Sequence, residues 1–378
     1  MKTFKHFREL VQSARDSKTK DKLIKQFIEE QQERGGFPMI ENENVIFIFQ
    51  GKVRSRITMT GDINDWHRDK DPLQRIEGTD FYYKSMKFPL DARIEYAFIK
   101  DENLVIDQFN EKTGYGGLGI YSELQMPRYT PSITTNYNLD IPHGKIKVFR
   151  FRSEILNNNR MIHIYLPPGF SSKVKYPVIY AQDGSDYLRF GYFDNVLDYL
   201  ISQGETKKVI GIFIDPDNRL LEYDLNKDYV EFLNKELVPF IDENYPTQPI
   251  PSNRLVMGAS FGGLISSYAA FKYPEIFGNV ASQSGYLSRK KDWIIQKIKE
   301  SPKKKIKFYL DCGTFENNVG GMYGDFTQGN RRMQEVLRMK GYDHVYQEFN
   351  EGHNWGNWRS RISTILKTFF SYKEKLNS

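Results

Sequence analysis

Val256-Met257-Gly258-Ala259-Ser260-Phe261-Gly262-Gly263 is the stretch that decides the fold. It is a Gly-x-Ser-x-Gly preceded by an apolar strand, Leu255–Met257, and followed by a helix-forming run, Leu264–Phe271. A serine between strand and helix sits on a sharp turn with its hydroxyl exposed at the top of a sheet, the nucleophile elbow. Glycines flank it because a Cβ there would collide with neighbouring backbone. The helix start beneath the serine offers unsatisfied N–H groups to a developing oxyanion. A plain Gly-rich turn is the competing reading, and the strand before and helix after argue against it.

Working outward, apolar runs alternate with helical patterns. Strands are predicted at Lys145–Phe151, His163–Leu166, Val178–Ala181, Val209–Ile214, Leu255–Met257, Val280–Ala281, Ile306–Leu310 and Val345–Phe349. Helices are predicted at Asp228–Glu243, Gly262–Phe271, Gly329–Met339 and Trp358–Phe370. Such alternation predicts a mostly parallel sheet covered by helices, here an α/β hydrolase over residues 143–378. Upstream the rhythm differs. Asn44–Phe49, Arg56–Thr60, Phe81–Phe88 and Ile94–Ile99 are short β-branched and aromatic runs separated by turn clusters. They predict an immunoglobulin-like β-sandwich over residues 37–128. Phe4, Phe7, Leu10 and Val11, then Leu23, Ile24, Phe27 and Ile28, recur at helical spacing and predict a helical hairpin over residues 1–36. The Pro-, Thr- and Asn-rich residues 126–142 mark the boundary before the hydrolase domain.

A serine hydroxyl needs a base. Of six histidines only His344 and His353 follow Ser260, and this fold runs serine, acid, histidine along the chain. His344 opens a strand. His353 lies just beyond that strand, in Glu351-Gly352-His353-Asn354-Trp355-Gly356, where a parallel sheet places its chemistry. It is the predicted general base. The acid is expected after Ile306–Leu310, in Asp311-Cys312-Gly313-Thr314-Phe315-Glu316. Glu316, past a Gly-Thr turn, has the reach to orient His353 and is favoured. Asp311, which can be aimed into the sheet, is the runner-up, with Asp325 behind it. The amide of Phe261 supplies one oxyanion donor. The second is assigned to Gly184 in Gln182-Asp183-Gly184-Ser185, although Asp-Gly is also an ordinary turn.

The bulk composition bounds the alternatives. The chain has 378 residues, 24 Tyr and 27 Phe, enough for a large core, and a net charge of +6 spread along its length. That spread reads first as solvated surface, second as a mild attraction for anionic ligands, and speaks against nucleic-acid binding. Cys312 is the single cysteine, so no internal disulfide or multi-thiolate metal site is expected. No phosphate loop, dinucleotide fingerprint or HExxH motif occurs, and no cofactor is expected. No apolar stretch is long enough to span a membrane and the N-terminus lacks an apolar signal core, so the expectation is a cytoplasmic protein acting on a small-molecule ester.

Beyond these readings, Arg219-Leu-Leu-Glu222-Tyr223, Glu236-Leu-Val-Pro239, Gly258-Ala-Ser260-Phe-Gly-Gly263, Tyr273-Pro-Glu-Ile-Phe-Gly278 and Ser282-Gln-Ser-Gly285 resemble the enterochelin (ferric enterobactin) esterase family. Gly352-His353 followed by Trp358-Arg359 fits the same family's histidine motif. Cys312-Gly-Thr-Phe-Glu316 resembles the acid loop of the related feruloyl esterases, which carry Asp where this chain has Glu316. Gly61-Asp62-Ile63-Asn64-Asp65-Trp66 resembles early-set modules related to glycogen-binding domains. The resemblance implies hydrolysis of an ester or lactone by Ser260, Glu316 and His353, on a siderophore trilactone or on feruloyl or acetyl esters of carbohydrates. Arg219 and Glu222 match a motif near the active site, and Arg219 either holds an anionic or catechol-bearing substrate or braces its loop. Asp183 and Trp355 join them as candidate substrate contacts. Trp66 is either a sugar platform or a core or interface residue. A catalytically silent glycan-binding protein and an acyltransferase on the same fold are the alternatives.

Overall fold

Apolar β-branched runs separated by helices fold as the alternation predicts. In the computed structural model, which describes residues 3–117, 119–321 and 323–372, eight strands form one sheet. They are β1 (Lys145–Ser153), β2 (Asn158–Leu166), β3 (Val178–Gln182), β4 (Ile210–Ile214), β5 (Arg254–Ala259), β6 (Asn279–Gln283), β7 (Lys307–Gly313) and β8 (Asp343–Phe349). The spatial order is β1-β2-β4-β3-β5-β6-β7-β8. β1, β2 and β4 pair antiparallel along that edge, and every pairing from β4 through β8 is parallel. β3, β4, β5 and β6 are buried along their whole length, which is why they read as unbroken apolar runs instead of alternating ones.

The observed helices Phe261–Lys272, Phe326–Met339 and Trp355–Phe370 begin up to three residues before their predicted starts. The predicted helix Asp228–Glu243 is one continuous run over residues 227–244 with a π-helical turn, Leu233–Leu237, at its centre. Helices Gly184–Arg189, Phe193–Ser202, Arg219–Tyr223 and Arg289–Glu300 were not predicted; the first and third are short, whereas Phe193, Val196, Leu197 and Leu200 do recur at helical spacing and could have been read.

The chain divides into two compact units. The second spans residues 131–317, 324–349 and 355–378 and holds the eight-stranded sheet. The first spans residues 1–130 together with two short returns of the chain, 318–323 and 350–354. Within the first unit lie two antiparallel sheets. One contains Asn44–Gln50 and Phe81–Lys87, and the other contains Ile57–Gly61, Arg93–Lys100 and Gly119–Gln125. Rings from the two sheets meet edge to face, Phe47 with Tyr96 at 4.8 Å and Phe49 with Phe98 at 5.9 Å between centroids.

The helices Phe4–Ser13 and Ser17–Arg34 are capped by Thr3 and Asp16, whose side chains accept from His6 N and Thr19 N. Their apolar faces bury Phe7, stacked on Phe27 at 3.9 Å, against Phe81 of the first sheet. Among the described residues, no helix is long and apolar enough to cross a membrane.

Candidate active site

Ser260 follows β5 and caps the helix Phe261–Lys272. Its backbone stands at φ 58° and ψ −121°, a region that costs a non-glycine residue roughly 1–3 kcal/mol. The turn is held from both sides. Ser260 N–H donates to Gln283 O at 2.9 Å, while Ser260 O accepts from Leu264 N and Tyr286 N, each at 3.1 Å. The two glycines of the motif differ in necessity. A Cβ at Gly258 would lie 2.5 Å from the carbonyl carbon of Gly262, so that position admits no side chain. A Cβ at Gly262 would meet Asp183 Oδ2 at 3.2 Å, a tight contact with a side chain and not a backbone collision.

That last contact sets the 182–185 loop against the start of the elbow helix. Asp183 takes a left-handed backbone, φ 56° and ψ 50°, to turn β3 into the helix Gly184–Arg189. A Cβ at Gly184 would sit 2.3 Å from the Phe213 carbonyl carbon, so the loop lies directly on β4. The amides on either side of Gly184 are engaged. Asp183 N donates to Tyr223 Oη at 3.0 Å, and Ser185 N donates to Asp215 Oδ1 at 2.6 Å. Asp215 Oδ2 also accepts from Ser185 Oγ at 2.5 Å and faces His163 Nε2 at 3.0 Å. Neither brace was found by sequence reasoning, because Asp215, Ser185 and His163 come together only through the β2–β4–β3 order.

Arg219 and Glu222 stand at different depths. The Arg219 guanidinium donates from Nε to Asp183 Oδ1 at 2.7 Å and from Nη2 to Asp183 Oδ2 at 2.8 Å. Its Nη2 also reaches Ala259 O, next to the nucleophile, at 3.4 Å. Asp183 thereby already holds a cation. Glu222 is buried, with Oε1 and Oε2 each accepting from Arg160 at 2.9 Å, and Arg160 in turn lies over the Phe232 ring. Its carboxylate is committed to that pair. Trp355 is buried between Tyr187 and Trp358, edge to face with each ring, at 5.1 Å.

The two carboxylates after β7 separate clearly. Asp311 is inside the strand and fully buried, beside Arg361 and Tyr309, and burial pushes its carboxyl up to about 7. Glu316 is 0% exposed yet well supplied with donors. Its Oε1 accepts from Ser284 Oγ at 2.6 Å, Gly313 N at 2.9 Å and Asn357 Nδ2 at 3.4 Å. Ser284 Oγ accepts in turn from Trp358 Nε1 at 3.0 Å. These partners fix the Glu316 carboxylate in one orientation. Asp325 caps the helix Phe326–Met339, its Oδ1 accepting from Gln328 N at 2.8 Å. His344 bonds the Tyr342 carbonyl at 3.0 Å, and His143 pairs with Asp198 at 2.9 Å. His353 lies on the loop between β8 and the helix Trp355–Phe370, in the return of the chain that clusters with the first unit. Among the described residues, no group of three or more His, Cys, Asp or Glu could hold a metal ion.

An eight-stranded sheet of this order, with a strained serine between β5 and the following helix, defines an α/β hydrolase. The chain belongs to the family described as "Putative esterase", whose profile matches residues 153–369. It is 34% identical over 236 residues to the uncharacterized protein YjcH of Bacillus subtilis, covering 60% of this chain and 97% of that protein. To an endo-1,4-beta-xylanase/feruloyl esterase of Xylanibacter ruminicola it is 25% identical, over 75% of this chain but only 39% of that protein. The ferric enterobactin esterase of Salmonella typhimurium superposes with a TM-score of 0.74 at 20% identity, over 88% of this chain and 95% of the other. The family and these neighbours place the chain among enterochelin- and feruloyl-esterase-like proteins, hydrolases acting on esters.

Proposed function

We propose that this protein is a serine carboxylesterase that works through an acyl-enzyme, with Ser260 as nucleophile, His353 as general base and Glu316 as the carboxylate that orients it. The observation that carries the reading is the elbow itself, a non-glycine residue at φ 58° and ψ −121° on the N-terminus of the helix Phe261–Lys272. The Ser260 Oγ attacks the acyl carbon while His353 accepts its proton. The developing oxyanion takes hydrogen bonds from the amides of Phe261 and Gly184. Collapse breaks the ester C–O bond, and the imidazolium returns the proton to the departing alcohol. Water, deprotonated by His353, then attacks the acyl carbon; the bond to Ser260 Oγ breaks, the imidazolium returns the proton to Oγ, and the acid leaves. Glu316 supports this role better than Asp311. A carboxyl raised to about 7 is largely protonated below neutrality and stabilises an imidazolium poorly.

In this reading the substrate class is a siderophore-type trilactone, as the name of the ferric enterobactin esterase neighbour suggests. Feruloyl or acetyl esters of carbohydrates are the second reading, favoured by the feruloyl esterase relative and by the acid loop. The two antiparallel sheets of the first unit are, in our reading, an early-set β-sandwich, a view the Phe47–Tyr96 and Phe49–Phe98 contacts support. Trp66 donates from Nε1 to Asp62 Oδ1 at 3.2 Å and meets Tyr121 edge to face at 4.4 Å, which favours a packing role over a sugar platform.

Ser260→Ala should abolish p-nitrophenyl ester hydrolysis and labelling by a fluorophosphonate probe. Unchanged activity in that variant would overturn the assignment. A glycan-binding protein without catalysis would show no labelling of the wild type and a calorimetric signal with soluble glycans. Comparing kcat/KM on a catechol trilactone, methyl ferulate and short p-nitrophenyl esters decides the substrate. A preference for the trilactone by orders of magnitude supports the first reading, and equal slow turnover of all three defeats both.

A further inference from the structure

The first unit contains a buried charged cluster whose polar ends converge on residues 350–354. Arg93 is 1% exposed, and burying a guanidinium is costly unless it is fully paired. Its Nη2 donates to Glu95 Oε1 at 2.8 Å and to Glu123 Oε2. The other arm, Nη1, donates to the side-chain oxygen of Asn354 at 2.5 Å. The Arg93 backbone joins the same segment, its N–H donating to Asn350 O at 2.9 Å, with a parallel β-bridge from Arg93 to Glu351.

Asp62 closes the cluster from the opposite side. Its Oδ2 accepts from Glu95 N at 2.7 Å and from Asn354 Nδ2 at 2.8 Å. Asn354 is therefore gripped at both ends of its amide, the oxygen by a cation and the nitrogen by Asp62. Gly352 approaches Asp62 so closely that a Cβ there would lie 2.0 Å from the Asp62 Cγ. Asn350 adds a tie from its Nδ2 to Asp91 Oδ1 at 2.8 Å. Five consecutive residues with His353 among them are thus anchored at Asn350, Glu351, Gly352 and Asn354.

Stability alone does not account for this arrangement. A buried Arg, two Glu and an Asp contribute little net stability against apolar residues of similar volume, but they fix geometry tightly because each unmade bond is costly. The segment they fix is the loop of the proposed base. We propose that Arg93 and Asp62, acting through Asn354, are positioning residues for His353. The proposal rests on the assignment of His353 as general base. It also gives the Gly61-Asp62-Ile63-Asn64-Asp65-Trp66 segment a role. The Asn64 side chain bonds Gly61 N at 3.1 Å and Met59 O at 3.0 Å, and Trp66 bonds the second oxygen of Asp62, so the segment holds the Asp62 carboxyl group in place.

The test is Asn354→Ala in the full chain, with Asn354→Asp as a second variant that keeps the acceptor for Arg93 and loses the donor to Asp62. Turnover is expected to fall roughly 10- to 100-fold while KM stays within about twofold, typical of a misplaced catalytic group. The rate of fluorophosphonate labelling of Ser260 should fall in parallel, and the acidic limb of the kcat/KM–pH profile should move. A purely structural role would lower the melting temperature but leave the pH limb and the turnover of the folded fraction unchanged, and that outcome overturns the proposal. His353→Ala is measured alongside. If it remains active, the triad reading fails first. If it is inactive while Asn354→Ala and Asn354→Asp keep wild-type turnover and pH profile, only the positioning proposal fails. Should Asn354→Ala not fold, Asp62→Asn and Asp62→Ala give the same comparison, the asparagine keeping an acceptor for Asn354 and therefore retaining more activity than the alanine.

Discussion

Arg219 and Asp183 form a fork-to-fork ion pair, with both Asp183 oxygens bonded to separate guanidinium nitrogens at 2.7 and 2.8 Å. The pair ties the loop carrying Gly184 to the Ala259 carbonyl beside the nucleophile. Arg219 is therefore expected to act by bracing the loop that carries Gly184, the proposed oxyanion donor, and not by attracting negative substrates. Arg219→Ala should slow turnover about 10-fold or more on neutral and anionic p-nitrophenyl esters alike. Arg219→Lys should recover little, because an ammonium cannot reproduce the planar fork. A loss confined to anionic esters would show that Arg219 binds substrate charge instead.

Glu316→Gln should slow turnover by roughly 10³-fold or more while leaving the unfolding midpoint close to wild type, since the amide can still accept from Ser284 and Gly313. Asp311→Asn should leave turnover within a few-fold of wild type. The reverse pattern would transfer the acid role to Asp311.

Asp311 also predicts a pH dependence of stability. Its folded carboxyl titrates near 7 against an unfolded value of 3.8, raised by burial and partly offset by Arg361. A group raised in this way contributes stability that is complete below the unfolded value and lost as pH rises through the folded one. Between pH 4 and 8 the wild type should lose about 4 kcal/mol relative to Asp311→Asn. Urea unfolding at three pH values measures the divergence, and parallel curves would contradict it.

The two motif glycines should differ sharply. Gly258→Ala places a methyl 2.5 Å from backbone carbon that cannot move without opening the turn. It should cost about 3 kcal/mol and most of the activity. Gly262→Ala, facing the Asp183 side chain at 3.2 Å, should cost about 1 kcal/mol and leave measurable hydrolysis. Denaturant midpoints and initial rates on p-nitrophenyl acetate check both.

Phe7, unexposed and stacked on Phe27, joins the N-terminal helices to Phe81. Phe7→Ala should cost about 3–5 kcal/mol, read as a lower unfolding midpoint.

By itself the sequence determined the hydrolase fold, because unbroken apolar runs at β3 to β6 and the Gly-x-Ser-x-Gly between strand and helix are local patterns that chain geometry converts directly into a sheet and an elbow. It also nominated Ser260, Glu316 and His353, since chain order and loop position are sequence properties. It did not reveal that Glu222 pairs with Arg160, 62 residues away and adjacent only through the strand order. The Asp215–Ser185 brace, the Ser284–Glu316 bond and the grip of Arg93 and Asp62 on Asn354 were equally invisible. Asn354 meets Arg93 across 261 positions and Asp62 across 292, and no spacing rule encodes such pairs. Only the folded chain decides them, because a buried charge takes whichever partner the packing brings within about 3 Å, and the packing is a property of the whole chain.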